Sequence, residues 1–279
     1  MSTDLKIRLR RYALLAVFFA VFVIEILILG WPMWYLFVTY LALLLVTLFI
    51  KREALRGLLA NYYLGAGRIE QARGIYQRMA AANVKYPAIY LNYATLILKE
   101  GRAAEALELL QRALGLNPRV ITEKNIRLTI GSCYWVLGQL DKAIETLETL
   151  RAKHEYINAH AMTTLGYMYF EKGELEKALE ISEAAVEDSP EHASAWDNLG
   201  QIYLKKEDLS TAREKFTKAL EYNPELADSN YFLGIIAERE NNPEEAREYF
   251  EKASRCKINA LNTVTADEVA EKLKKYTEG

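Results

Sequence analysis

The chain is poor in the residues from which metal sites, redox centres and catalytic dyads are assembled: 2 cysteines and 3 histidines in 279 residues. Cys133 and Cys256 are far apart and form no C-x-x-C pair, so no zinc ligand set or dithiol motif is present. His154, His160 and His192 contain no pair at helical metal-ligand spacing. Gly65-Ala66-Gly67 with Arg68 lacks the GxxxxGK[ST] spacing of a phosphate loop and reads as a turn. No nucleophile–base set can be read. The expectation is therefore a protein that is not an enzyme, with no cofactor, no metal and no small-molecule substrate. Charge of one sign is also lacking: 35 basic residues stand against 37 acidic ones. Residues 1–52 hold six basic and two acidic residues, +4, which leaves −6 for the remainder of a chain whose net charge is −2. An acidic body argues against nucleic-acid binding, which needs a basic footprint.

What is present at the N-terminus is apolar. Two stretches of about 18 residues, 12–29 and 33–50, flank Gly30-Trp31-Pro32; each would span roughly 27 Å as a helix. A signal peptide fits the first poorly, since no small-x-small cleavage site follows and a second apolar run comes at once. The pattern predicts a transmembrane helical hairpin. Lys6, Arg8, Arg10 and Arg11 before it and Lys51 and Arg52 after it form a basic collar, while the link is uncharged. This places both termini and everything that follows on the cytoplasmic side of an integral membrane protein, with the collar attracting lipid headgroups. Glu25, near the outer end of the first stretch, leans toward the interface or pairs with Thr39; a contact with a partner helix or a proton is the sharper reading.

From Glu53 onward a pattern recurs about every 34 residues. Its clearest copy carries Trp196, Leu199, Gly200 and Tyr203 at i, i+3, i+4 and i+7, one face of a helix. Ala212, Phe216 and Ala219 mark the face of a second helix, and Pro224 follows it. Gly200 and Ala212 are small where two backbones must approach closely. The copy before it supplies Leu165, Gly166, Tyr169, Ala178, Ala185 and Pro190, and the copy after it Leu233, Gly234, Ala246, Phe250 and Ala253. Gly131, Tyr134 and Ala143 mark the third copy. Ala94, Ala106, Ala113 and Pro118 mark the second, and Ala60, Tyr63, Ala72 and Tyr76 the divergent first. Gly67, Gly101, Gly138 and Gly173 fall at the same point in their copies, where a helix must end and reverse. Asn241-Asn242-Pro243 replaces that glycine in the sixth copy. Glu207-Asp208 stands there in the fifth, which predicts a looser turn. Cys133 occupies a position that is apolar in the other copies and reads as a small, reduced core residue.

These residues resemble the tetratricopeptide repeat (TPR) family. The resemblance implies an all-α fold: a right-handed α-solenoid of six helix pairs, at 53–86, 87–120, 124–158, 159–192, 193–226 and 227–260, after the basic N-terminus at 1–11 and the hairpin at 12–50. Thr265-Ala266-Asp267-Glu268 reads as a helix start, so residues 261–279 are expected to contain a capping helix. In the family the first helix of each pair lines a concave groove that binds protein or peptide. That nominates Asn61, Asn92, Thr95, His160 and Thr163, followed by Tyr167, Asp197, Gln201, Asp228 and Tyr231. Asn61 and Asn92 sit where chaperone-binding relatives place asparagines. Gly57, Asn125 and Thr129 stand in place of the cations those relatives use, so no carboxylate clamp is expected. The function implied is a membrane-anchored scaffold for a protein or peptide partner; the alternative is an accessory or assembly subunit of a membrane enzyme, transporter or envelope-biogenesis complex held through the hairpin.

Overall fold

Amphipathic segments alternate with short turns along the chain, and in the computed structural model these segments are helices. The structure describes residues 17, 19–21, 23, 24, 33–154 and 157–277. The helices are α1 (Met33–Ile50), α2 (Arg52–Gly65), α3 (Ile69–Ala81), α4 (Pro87–Leu98), α5 (Ala103–Gly115), α6 (Val120–Val136) and α7 (Leu140–Lys153). There follow α8 (Ala159–Lys172), α9 (Leu175–Asp188), α10 (Ala193–Lys205), α11 (Leu209–Tyr222), α12 (Ala227–Arg239), α13 (Pro243–Arg255) and α14 (Ala266–Thr277). No strand occurs among the described residues. The chain divides into two compact units, Met1–Ile75 and Tyr76–Gly279.

The first unit corrects the expected location. Among the described residues, no helix is long and apolar enough to cross a membrane. The 18 residues of α1 rise roughly 27 Å, short of a hydrocarbon core of about 30 Å. Tyr35, Thr39, Tyr40 and Thr47 also interrupt its apolar run. The assignment as an integral membrane protein is therefore withdrawn, and with it the membrane role of the collar. Most of 12–29 lies outside the described residues, as do Glu25, Lys6, Arg8, Arg10 and Arg11. Thr39, the hydroxyl proposed for Glu25, donates to the Tyr35 carbonyl at 2.8 Å. Lys51 flanks the start of α2. Arg52 pairs with Glu53 at 3.2 Å and stacks over Phe49, 4.6 Å from the ring centre.

In the second unit the helices pack as antiparallel pairs, and small residues decide how closely. Ala94, Ala106, Ala143, Ala178, Ala212 and Ala246 are wholly buried. A Cβ built on Gly200 would lie 2.6 Å from the Phe216 ring, one on Gly234 2.6 Å from Phe250, and one on Gly131 3.0 Å from Leu147. Gly166 stands in the same relation to Ser182, at 2.7 Å. Each glycine faces the residue sixteen positions further on, so the four occupy equivalent places in successive pairs. The absent side chain lets the second helix lay a ring or aliphatic group directly on the backbone of the first. Trp196 is not part of this interior. Its ring is only half-buried, donates Nε1–H to the Pro190 carbonyl at 2.7 Å and lies under Lys215. The large fully buried groups of this region are Phe216 and Phe250.

The turns follow from one backbone conformation. Gly101, Gly138 and Gly173 have φ of 80°, 71° and 83°, the left-handed region that glycine enters freely. The Gly173 turn closes with Glu174 N–H on the Tyr169 carbonyl at 3.0 Å and Gly173 N–H on that of Phe170 at 2.9 Å. Glu207 departs from the expectation of a looser turn. It takes φ 61°, and Asp208 N–H reaches the Tyr203 carbonyl at 3.0 Å, the same closure as at Gly173. Helix packing on both sides fixes the turn and forces a side-chain-bearing residue into a costly region. Replacing Glu207 by Gly should therefore raise stability by on the order of 1 kcal/mol. The exposed ion pair to Arg239 that would be lost offsets little of it. A thermal melt checks this, and a lower midpoint would contradict it.

The last helix starts as its sequence reads. Thr265 Oγ1 accepts from Glu268 N–H at 3.2 Å and Glu268 Oε2 accepts from Thr265 N–H at 2.7 Å, a reciprocal cap that satisfies two otherwise unpaired donors. Val264 and Val269 then bury against Ala227 and Ala253, while the Tyr276 hydroxyl donates to Glu238 at 2.7 Å.

Candidate functional site

Helices α4, α6, α8 and α10 and the start of α12 wall one cavity of about 270 Å³. Six of the residues nominated from the sequence line it: Thr95, His160, Thr163, Tyr167, Asp197 and Asp228. Gln201 adjoins them, donating to Asp197 Oδ2 at 2.7 Å. Three nominated residues are placed elsewhere. Asn61 is exposed on α2 in the first unit. Asn92 lies one turn before Thr95 on α4 and donates to the Tyr76 hydroxyl at 3.5 Å. Tyr231 packs against Phe250 and Phe232, with ring centres 5.6 and 5.5 Å away, and serves the C-terminal core.

The polar residues of the cavity differ in how free they are. Thr95 and Thr163 donate to carbonyls one turn back on their own helices, at 2.9 and 2.8 Å, and Thr163 is buried. Tyr167 stands edge-on to Trp135 with centres 5.4 Å apart and donates to Glu171 at 2.8 Å. Burial, Glu171 and the two aspartates push its hydroxyl well above the usual tyrosine range, so it acts as a neutral donor. His160 lies edge-on to His192, with ring centres 5.9 Å apart; burial, then His192 and Lys99, lower its pKa. It is therefore held neutral at physiological pH.

Asp197 and Asp228 lie in the buried wall of the cavity. They are only 5% and 7% exposed. Asp197 accepts from Gln201 and from the Ser229 hydroxyl. Burial first, and the Asp228 charge second, raise its pKa to about 7. The sign follows directly. A carboxyl that keeps its proton to about pH 7 when folded, but releases it near 3.8 when unfolded, contributes stability that is full below about pH 4 and is lost as pH rises toward 7. The loss is at most about 4 kcal/mol, three pKa units at 1.36 kcal/mol each. Asp197→Asn should remove it. The melting temperature of the variant relative to wild type is expected to rise between pH 4.5 and 7.5, and a flat difference would rule out a proton on Asp197.

Several residues here escaped the sequence reading. Asn198 is buried and donates to the Thr163 carbonyl at 2.8 Å, tying one helix pair to the next. Trp135 supplies the aromatic wall. The segment between α13 and α14 also enters the site: Leu261 and Thr263 line the cavity, and Asp228 Oδ1 accepts from Thr263 N–H, Thr263 Oγ1–H and Val264 N–H at 3.0, 3.0 and 2.9 Å. A repeat-based phasing assigns that segment no place, because it follows the last repeat. Cys133 is fully buried, and burial lifts its thiol to about 12, so it is an inert core group.

Tetratricopeptide repeat sequence models match residues 58–120 and 198–260, 98–165, and 156–225. Together they take in most of the chain, which belongs to the tetratricopeptide repeat family. No curated protein matches it. Among solved structures, a tetratricopeptide repeat protein from Parabacteroides merdae is 18% identical with a TM-score of 0.65, over 80% of this chain and 84% of that one. PilW, a widely conserved type IV pilus biogenesis factor, is 17% identical with a TM-score of 0.61, over 81% and 98%. A chain of the Cut9–Hcn1 hetero-tetramer is 18% identical with a TM-score of 0.62, over 78% of this chain but 41% of that one. At these identities the likeness is one of fold.

Proposed function

We propose that this chain is a scaffold that holds a segment of a protein partner on the concave face of its second unit, and that it is not an enzyme. The observation that carries this reading is the cavity at Thr95, Trp135, His160 and Tyr167. It is aromatic at Trp135 and Tyr167, with hydroxyl and imidazole groups opposite and the two aspartates in its wall, a composition suited to a peptide rather than to an anionic ligand. Families of this repeat bind protein or peptide partners, and Cut9–Hcn1 is itself a hetero-complex. We take the six repeats between 53 and 260, with 261–279 as the cap, as the organisation of the array. The accessory-subunit reading was routed through a membrane hairpin and loses that route; PilW, a pilus biogenesis factor, shares only the fold.

The test is affinity capture with the full chain beside a Trp135→Ala/Tyr167→Ala variant, followed by peptide identification. Both rings are half-buried, so the helices should persist while the captured protein is lost. A folded variant that captures the same protein in the same amount would remove the groove from the reading.

A further inference from the structure

The concave face already has an occupant. Leaving α13 at Arg255, the chain crosses to α4, where Ala260 N–H donates to the Lys99 carbonyl at 3.1 Å. It then returns to α12, where Asn262 Nδ2 donates to Asp228 Oδ2 at 2.8 Å. With the three bonds to Oδ1 already described, every acceptor bond recorded for Asp228 comes from this segment. Between these two anchors Leu261 forms part of the cavity wall. A short bent stretch whose N–H groups turn to a buried carboxylate, with one aliphatic side chain at the wall of a cavity, is held by the groove as a bound peptide would be.

The fastening is uneven. Val264 is buried with Ala227, Ala253 and Val269 and anchors one end. Residues 258–263 are only half-buried and Lys257 is exposed. Asn259 and Asn262 bond mainly within the segment, where Asn262 Oδ1 accepts from Asn259 N–H at 2.9 Å and Asn259 Oδ1 from Leu261 N–H at 3.0 Å. The segment therefore keeps its own bent shape, and between the apolar contacts of Ile258 and Val264 it is held chiefly by hydrogen bonds.

We propose that residues 257–263 are an intramolecular ligand that closes the concave face against an external peptide of the same chemistry: a short turn-forming segment with an aliphatic residue followed by Asn-Thr. This rests on the groove reading above and adds a competitor to it. The probe is a fluorescent synthetic peptide of residues 257–265, titrated against the full chain and against a full-length variant in which 257–263 is an equal length of Gly and Ser. The replaced chain should bind the peptide at least about tenfold more tightly than wild type. Asp228→Ala in the replaced chain should remove at least about tenfold of that, since hydrogen bonds to a charged acceptor are lost. A replaced chain with undiminished helical signal that binds no better than wild type would overturn the proposal. Should the replaced chain fail to fold, Asn262→Ala/Thr263→Ala in the intact chain serves the same end. Faster amide exchange at Ala260 and Leu261 together with tighter peptide binding supports the proposal, and no change in either overturns it. The assay needs no natural partner. A peptide that binds while capture ignores Trp135 and Tyr167 would sink the partner reading alone.

Discussion

Phe216→Ala is expected to cost about 3–5 kcal/mol, the largest single loss from any one side chain in the array. The ring is wholly buried, packs with Leu204, Ala212, Leu233 and Ile236, and stacks on Phe232 with centres 5.5 Å apart. It joins two successive helix pairs, so its removal empties space that neither pair can close alone. Gly200→Ala attacks the same contact from the other side. Its Cβ would sit 2.6 Å from that ring, an overlap costing about 1–3 kcal/mol. The two changes should not add. In the double variant the new methyl enters the space the ring has left, so the total should fall below the sum by about 1 kcal/mol or more. Denaturant melts of the four proteins measure this directly, and strict additivity would mean that Gly200 and Phe216 do not face each other.

The second large effect is at Asp228. Asp228→Ala removes the acceptor of four hydrogen bonds and leaves the Val264 N–H unpaired in a buried place. Bonds to a charged acceptor contribute about 1.5–3 kcal/mol each, and orphaned buried donors cost about 1–3. Burying the carboxylate itself carries a desolvation cost that its removal recovers. The net loss is expected near 3 kcal/mol. It should be accompanied by fast amide exchange at Thr263 and Val264 and by a fall in the pKa of Asp197, because the Asp228 charge is one cause of its rise. A variant as stable as wild type, with those two amides still protected, would show that the segment is held by something other than Asp228.

The repeat fold was legible because its determinants are local. A glycine facing the residue sixteen positions on, an alanine at each crossing and a glycine at four of the six reversals can be seen without knowing which pairs touch. Asp228 and Asp197 were legible only as positions on a helix face. As exposed groove residues they would bind a partner; in the structure they are desolvated and committed to Gln201, Ser229 and the segment after α13. Trp196 failed in the opposite direction. It shares a helix face with the buried Leu199 and Gly200, yet its ring is only half-buried, under Lys215. The apolar run 33–50 read as a span because its roughly 27 Å of helix stands at the lower limit of what a bilayer core requires.

By itself the sequence determined an all-α array of paired helices and where each pair turns, because close packing at every crossing demands a small residue and every reversal a tolerant backbone. Only the tertiary structure decided that the concave face is partly filled by the chain's own residues 257–263. That contact joins α4 to α12 across more than a hundred residues of sequence. It depends on how successive helix pairs of the second unit stack, which no periodic pattern encodes.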